Sequence, residues 1–426
     1  MLKNLLKKLK RDHLVRDSVY MVISNIYSKG MAYLFYFITA IILGTEGFGI
    51  LRGLLPLMDT VIILFCSGIP PSMARYISRY SGKDYTWIFS ILLVMVVLST
   101  LGALFIFLLR YILSGGYEDI GTTLYLVVGF TVISSSFISW GRGVLQGLLK
   151  IKDLSETWIV EYLFKIPLAV VFSLYLGVLG AILSISLSYI LGGFFGFHLL
   201  RRYIEIEKLD IVNTLREKRD LIKEVIFYSI PIALGTASYR LLNDLDSVVI
   251  MSLLGAQDNG IYGYASLLSR GVFLFASAVG IPLLPRIAKT RDFNSIKKAL
   301  LINLTLITPV LLIMFLFPEE ILRIFFGVED ERAVISLKVL SISAGFMSSY
   351  TVCASALQGL GYGKIPLYIL LIGITLNGIL NYLFVKKIGI VGGAYGTLIS
   401  SILIFILITL YLKRVYKKCG GGDLNP

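Results

Sequence analysis

Eleven ionisable side chains interrupt the long apolar runs of this sequence. Lys29, Arg52, Arg142, Lys165, Arg240, Arg270 and Lys338 are cationic, and Asp59, Glu161, Asp244 and Asp246 are acidic. A charge at membrane depth is costly, so each is expected to face a cavity or an opposite charge. Seven cations against four acids leave three positive charges in excess, which suits an anionic ligand. Arginine adds a forked, bidentate grip on phosphate, and lysine acts as a compact point charge. The same spacings also permit ion pairs. Arg240 and Asp244, like Glu161 and Lys165, stand four residues apart and meet on one helix face. Arg52 and Asp59, seven apart, share a face, while Arg142, Lys165 and Lys338 have stems long enough to reach a membrane edge. Two kinds of chemistry follow: anion contact by Lys29, Arg52, Arg240, Arg270 and Arg142, and coupling to a sodium ion or proton at Asp244, Asp246 and Asp59.

Helices have to position these groups. The 426 residues are 57% hydrophobic and 15% charged, with a mean hydropathy of +0.83, which excludes a water-soluble domain. A bilayer core about 30 Å thick needs roughly 20 apolar residues of helix, because each backbone polar group must be paired inside its own segment. Twelve segments meet or approach that length: 18–44, 49–74, 86–110, 122–148, 157–177, 178–200, 226–254, 261–285, 299–317, 333–359, 365–385 and 388–412. The runs are unbroken and lack the alternation of a membrane barrel. The expectation is an all-α integral membrane protein.

Lysine and arginine orient it. The N-terminus to Arg16 and the segments 75–83, 150–152, 201–223 and 286–298, with Lys364 and the tail after 412, carry 28 cations; the alternate loops carry five. Positive-inside bias then places both termini in the cytoplasm of a multi-pass cell-membrane protein. The first run is too long for a signal sequence and lacks a cleavage site, so it reads as a retained span. Before it, Leu2, Leu5, Leu6 and Leu9 share a face opposite lysines, as in a helix lying on an anionic membrane surface. The net charge of +14 belongs to these edges and calls for no nucleic acid. Cys66, Cys353 and Cys419 suggest neither disulfides nor a metal site, and nothing points to a cofactor or to more than a monomer.

The sequence also repeats. Gly44–Ile50 matches Gly255–Ile261 in its glycines and isoleucine at an offset of 211. Gly-Ile-Pro at 68–70 recurs at 280–282, Leu-Gln-Gly at 145–147 recurs at 357–359, and Gly177–Gly180 recurs as Gly389–Gly392, all at 212. Lys29 and Arg240 are equivalent at 211, as are Asp59 and Arg270. The chain therefore divides into a basic segment 1–17, a six-helix bundle 18–200, a charged linker 201–223, a second bundle 224–413 and a tail 414–426. Six is even, so the halves run in the same direction and are expected to be related by a pseudo-twofold axis along the membrane normal. Such halves enclose a cavity, and rocking exposes it to each side in turn.

The twelve spans in two sixes, the glycine-rich first outer turn, G-I-P-x-x-x-A-R at Gly68–Arg75 and the duplicated Leu-Gln-Gly resemble the polysaccharide transporter family. That family belongs to the multidrug, oligosaccharidyl-lipid and polysaccharide exporter superfamily, which includes O-antigen and lipid II flippases. The resemblance spans residues 15–415 and implies export of a lipid-linked oligosaccharide on a polyprenyl phosphate or pyrophosphate, a role that involves no enzymatic step. It also implies that Lys29, Arg52 and Arg270, on the first, second and eighth helices, are the nearest counterparts of cavity arginines in lipid II flippases. A cation-coupled multidrug extrusion antiporter is the alternative, although the positive excess disfavours a cationic cargo. A glycosyl polymerase or ligase ranks below both, since the longest outer loop, 318–332, is short and lacks histidine. Gly359–Lys364 lacks Walker spacing and reads as a tight turn. Pro56, Pro167, Pro231 and Pro309 fall inside spans and permit bends.

Overall fold

The structure, a computed structural model, describes residues 13–80, 85–204, 211–272, 279–280 and 291–420, together with Leu283, Arg286, Ile287 and Lys289. The amphipathic stretch before His13, residues 205–210 of the linker and the last six residues of the tail lie outside the described residues. Among the described residues, nine helices are long and apolar enough to cross a membrane. Two of them are double, His13–Ile62 (α1) being broken at Gly44 and Ile151–Leu200 (α5) at Gly177. A π-helical turn at Ile63–Ser67 leads from α1 into Ile69–Arg79 (α2). Between them stand Trp87–Leu109 (α3) and Thr122–Gly147 (α4). The second half contains Arg219–Leu254 (α7), Ala256–Arg270 (α8), Phe293–Leu316 (α9), Glu331–Gly359 (α11), Lys364–Ile388 (α12) and Ile390–Gly420 (α13). Eleven of the twelve expected spans are thus accounted for, and of the eighth the portion Ala256–Arg270 is described.

Two short helices were not expected. Ile211–Glu217 (α6) lies in the charged linker, and Pro318–Phe326 (α10) lies between α9 and α11. Proline at its first position and Gly327 in the left-handed conformation at its end delimit α10, as helix termini favour. Asp292 and Asp330 accept backbone N–H bonds at the starts of α9 and α11, which is the usual way of satisfying exposed donors there. Arg332 donates to Asp330 and also pairs with Asp258 at 2.7 Å. Its hydrogen bonds hold the Asp330 carboxyl below the ordinary aspartate range.

The backbone repeats as the sequence does. Among the described residues, eight of the nine positive φ angles fall in pairs, Gly44 with Gly255, Gly115 with Gly327, Leu149 with Gly361 and Gly177 with Gly389, and Arg291 is the ninth. The first pair is offset by 211 and the other three by 212. Gly44 (φ 66°, ψ −174°) and Gly255 (φ 91°, ψ −175°) also share a conformation that essentially only glycine adopts.

Packing groups the chain into two compact units that do not follow chain order: residues 1–43, 57–113 and 118–237 form one, and residues 44–56, 114–117 and 238–426 the other. The first has a core of Met73, Trp87, Ile88, Met95, Trp140 and Val144. Ser90 donates to the Ile211 carbonyl at 3.0 Å and Ser72 to that of Val225 at 2.6 Å, so the end of the linker docks on this unit. Glycines of the recurring motifs sit at close contacts within each unit. A Cβ at Gly147 would lie 2.6 Å from Ile77 Cβ, and one at Gly280 would lie 3.0 Å from Ser355 Oγ. Glycines thus permit close helix approaches in both units, at Gly147 on α4 and at Gly280 against α11.

Candidate anion site

In the second unit, the part of α1 beyond Gly44 lies against α8. A Cβ on Gly49 would collide with the Ala256 carbonyl, and one on Gly260 with the Thr45 carbonyl. Thr45 and Gly49 are the repeat equivalents of Ala256 and Gly260, so each segment offers the same positions to the other, as across a local twofold. Asn259 fastens the contact by donating to the Gly49 carbonyl at 2.7 Å, and Ser247 donates to Asn259 Oδ1 at 2.7 Å and to the Arg52 carbonyl at 3.2 Å.

This contact carries Arg52 to the acidic pair on α7. Asp244 is wholly buried and is shared by three arginines: Arg240 one turn earlier at 2.7 Å, Arg52 at 3.2 Å, and Arg270, which also donates to the Asn243 carbonyl. Arg52 further donates to Ser266 Oγ at 3.3 Å. Asp246 lies 3.6 Å from Arg270 and accepts from the Ser247 N–H at 2.8 Å and the Tyr262 hydroxyl at 2.6 Å. Three guanidinium groups and two carboxylates leave a net charge of +1. The side chains of Arg240 and Arg270 keep 27% and 20% of their surface exposed. Beside Arg270 and Asp246 is a cavity of about 40 Å³ rimmed by Ser343, Asn377, Thr397 and Ser400, large enough for a water-sized guest.

The structure therefore gathers Arg52, Arg240, Arg270, Asp244 and Asp246 in one unit and places Lys29, Asp59 and Arg142 in the other. Lys29 lies exposed on α1. Arg142 is engaged by side chains of α5. It donates to Glu161 at 2.6 Å and Thr157 Oγ1 at 3.1 Å, with its guanidinium 3.6 Å over the Trp158 ring. Lys165 is also buried and bonded to the same Glu161 carboxylate. The pairs expected four residues apart both form, whereas Arg52 finds a partner far away in sequence. Ser247, Asn259, Tyr262 and Ser266 were not foreseen as supports, because only the crossing of separate helices reveals them.

The fold matches known transporters. The lipid II flippase MurJ in an inward closed conformation superposes with a TM-score of 0.73 over 93% of this chain and 87% of its own, at 17% identity. A membrane protein of Methanocaldococcus jannaschii is 48% identical over 95% of this chain and 99% of its own length. The sequence pattern described as polysaccharide biosynthesis protein matches residues 14–290. The chain belongs to that family. A candidate O-antigen transporter of Shigella flexneri is 27% identical over 40% of this chain and 42% of its own. The MatE pattern matches residues 231–383. The polysaccharide biosynthesis family member described here is thus a multi-pass membrane transporter of the flippase and extrusion superfamily, not an enzyme.

Proposed function

We propose that the protein moves a polyprenyl-phosphate- or pyrophosphate-linked oligosaccharide from the inner to the outer leaflet of the cell membrane by alternating access, both termini being cytoplasmic and one chain sufficing. The carrying observation is the group Arg52, Arg240 and Arg270 around the buried Asp244: with Asp246 included it is still net positive, Arg240 and Arg270 remain partly exposed, and arginine can grip phosphate bidentately. The name of the Shigella relative supports a glycan cargo. An inside-negative potential favours outward movement of an anion by about 2.3 kcal/mol per charge per 100 mV. In this reading Lys29, on the helix equivalent to that of Arg240, and Arg142 supply cationic surface in the other half, as the two bundles rock.

A second reading, cation-coupled drug extrusion, is favoured by the match of residues 231–383 to the MatE pattern. For coupling to sodium or a proton under either reading, Asp246 is the better placed carboxylate. It borders the cavity with Asn377 and Thr397, while three arginines engage Asp244. Asp59, in the first unit, is the further candidate. Binding to the detergent-purified protein distinguishes the readings. A polyprenyl-diphosphate oligosaccharide should raise the melting temperature and lose that effect in Arg52→Gln/Arg270→Gln, and an organic cation should not. Stabilisation by the cation alone would exchange the two.

A further inference from the structure

The second unit also carries an apolar groove of about 470 Å³, within the range of pockets that hold a whole small ligand. Leu300, Leu304, Leu311 and Phe315 form one stripe along α9, about 22 Å long at 1.5 Å per residue. Phe346 of α11 and Phe405 of α13, with ring centroids 5.7 Å apart, make the facing wall. A Cβ on Gly345 would meet only Leu311 Cδ1, at 3.0 Å, so this glycine keeps the floor low. Ser341 and Ser349 turn their hydroxyls to carbonyls of their own helix, at 2.7 and 3.1 Å. What the groove offers is hydrocarbon surface, suited to a chain rather than a polar solute.

Its Leu300 end runs into positive charge. Lys297 stands one turn before Leu300 on the same face, with its ammonium 5.8 Å from the Tyr416 ring. Phe293 packs edge-on against that ring at 5.0 Å. Tyr416 continues the α13 stripe begun by Phe405, and Lys413 and Lys417 beside it are exposed. The neighbouring acid, Asp292, is engaged at the start of α9 by Asn294 and Ser295. On α11 the groove residues lie opposite Leu340, Ser343, Ala344 and Met347, which line the cavity beside Arg270. One helix therefore separates the groove from the arginine cluster, and its occupant is distinct from the cargo.

We propose that the groove binds one anionic phospholipid of the surrounding bilayer, with its phosphate at Lys297, Lys413 and the Tyr416 hydroxyl and one chain laid along α9. A phosphatidylglycerol with a photoreactive chain, compared with the matching phosphatidylcholine in nanodiscs holding the full chain, tests this. Cross-links from phosphatidylglycerol should fall on residues 300–315 and 342–349 and exceed those from phosphatidylcholine. Lys297→Gln and Lys413→Gln, both exposed and harmless to folding, should each lower the phosphatidylglycerol signal about fivefold without changing the other. Gly345→Phe should remove both signals. Equal labelling by the two probes in the wild type, or no response to the lysine changes, overturns the site. Displacement of the label by equimolar polyprenyl phosphate would instead assign the groove to the cargo's tail and overturns it as well.

Discussion

Asp244→Asn preserves the shape of the side chain and removes one negative charge from the centre of three arginines. In the wild type, Arg240 and Arg52 stand 2.7 and 3.2 Å from this carboxylate and Arg270 contacts it directly. In the variant, Asp246, 3.6 Å from Arg270, is the carboxylate left to them. Breaking a buried pair by removing one partner costs about 3–5 kcal/mol. At about 2–4 °C per kcal/mol in a domain of 150–250 residues, the melting temperature should fall by about 6–20 °C. Arg240→Gln should cost far less, because its side chain is 27% exposed and such pairs are worth about 0–1 kcal/mol. The double variant removes one charge of each sign and restores the net charge, so it should melt above Asp244→Asn. It should not reach the wild type, because Arg52 and Arg270 also lose their partner. Thermal melts of the detergent-purified protein, followed by monodispersity on size exclusion, read all three. A melting temperature for Asp244→Asn within about 2 °C of wild type, or an Arg240→Gln as damaging as it, would refute the placement of Asp244 at the centre of the cluster.

Transport should decline in the order wild type, Lys, Gln at both Arg52 and Arg270, with the double Gln variant inactive, because lysine keeps the charge and loses the fork; initial rates in proteoliposomes check the order. Glu161→Gln strands Arg142 and Lys165 in the first unit and should cost about 3–5 kcal/mol, whereas replacing all three by apolar residues of similar volume should cost less; melting curves of the two variants decide. Gly260→Ala drives a Cβ into the Thr45 carbonyl, while Gly30→Ala meets nothing within 4 Å. The first should therefore lower the melting temperature, and the second should raise it slightly through a helix-propensity gain of up to about 1 kcal/mol.

Span placement was legible in the sequence because lipid admits few alternatives: apolar runs of this length must be helices, and the register of the repeat fixed their pairing. The repeated glycines Gly44, Gly255, Gly177 and Gly389 have positive φ, and their offsets survive in the backbone. Leu149 shows the limit. It adopts the left-handed conformation opposite Gly361 at about 1–2 kcal/mol, and nothing in its side chain announces this. Helices α6 and α10 were missed since both are short and flanked by charges. At the site, pairs four residues apart were readable, since helix geometry alone makes them. Arg52 with Asp244 was not, because it depends on two glycines, Gly49 and Gly260, allowing helices from different halves to touch. The Glu161–Lys165 pair is likewise readable from spacing, whereas the closing of Arg142 on the same Glu161 is not, because it depends on α4 packing against α5.

The most direct test of the account is translocation itself. Purified protein is reconstituted into vesicles holding a fluorescent polyprenyl-diphosphate oligosaccharide, and the fraction reaching the outer leaflet is read with a glycan-cleaving enzyme added outside. Wild-type protein should move the lipid-linked glycan, faster with an inside-negative potential, and Arg52→Gln/Arg270→Gln should leave it at the protein-free rate while remaining folded. Equal translocation by the wild type and that variant would contradict the assignment of the arginine cluster to an anionic cargo.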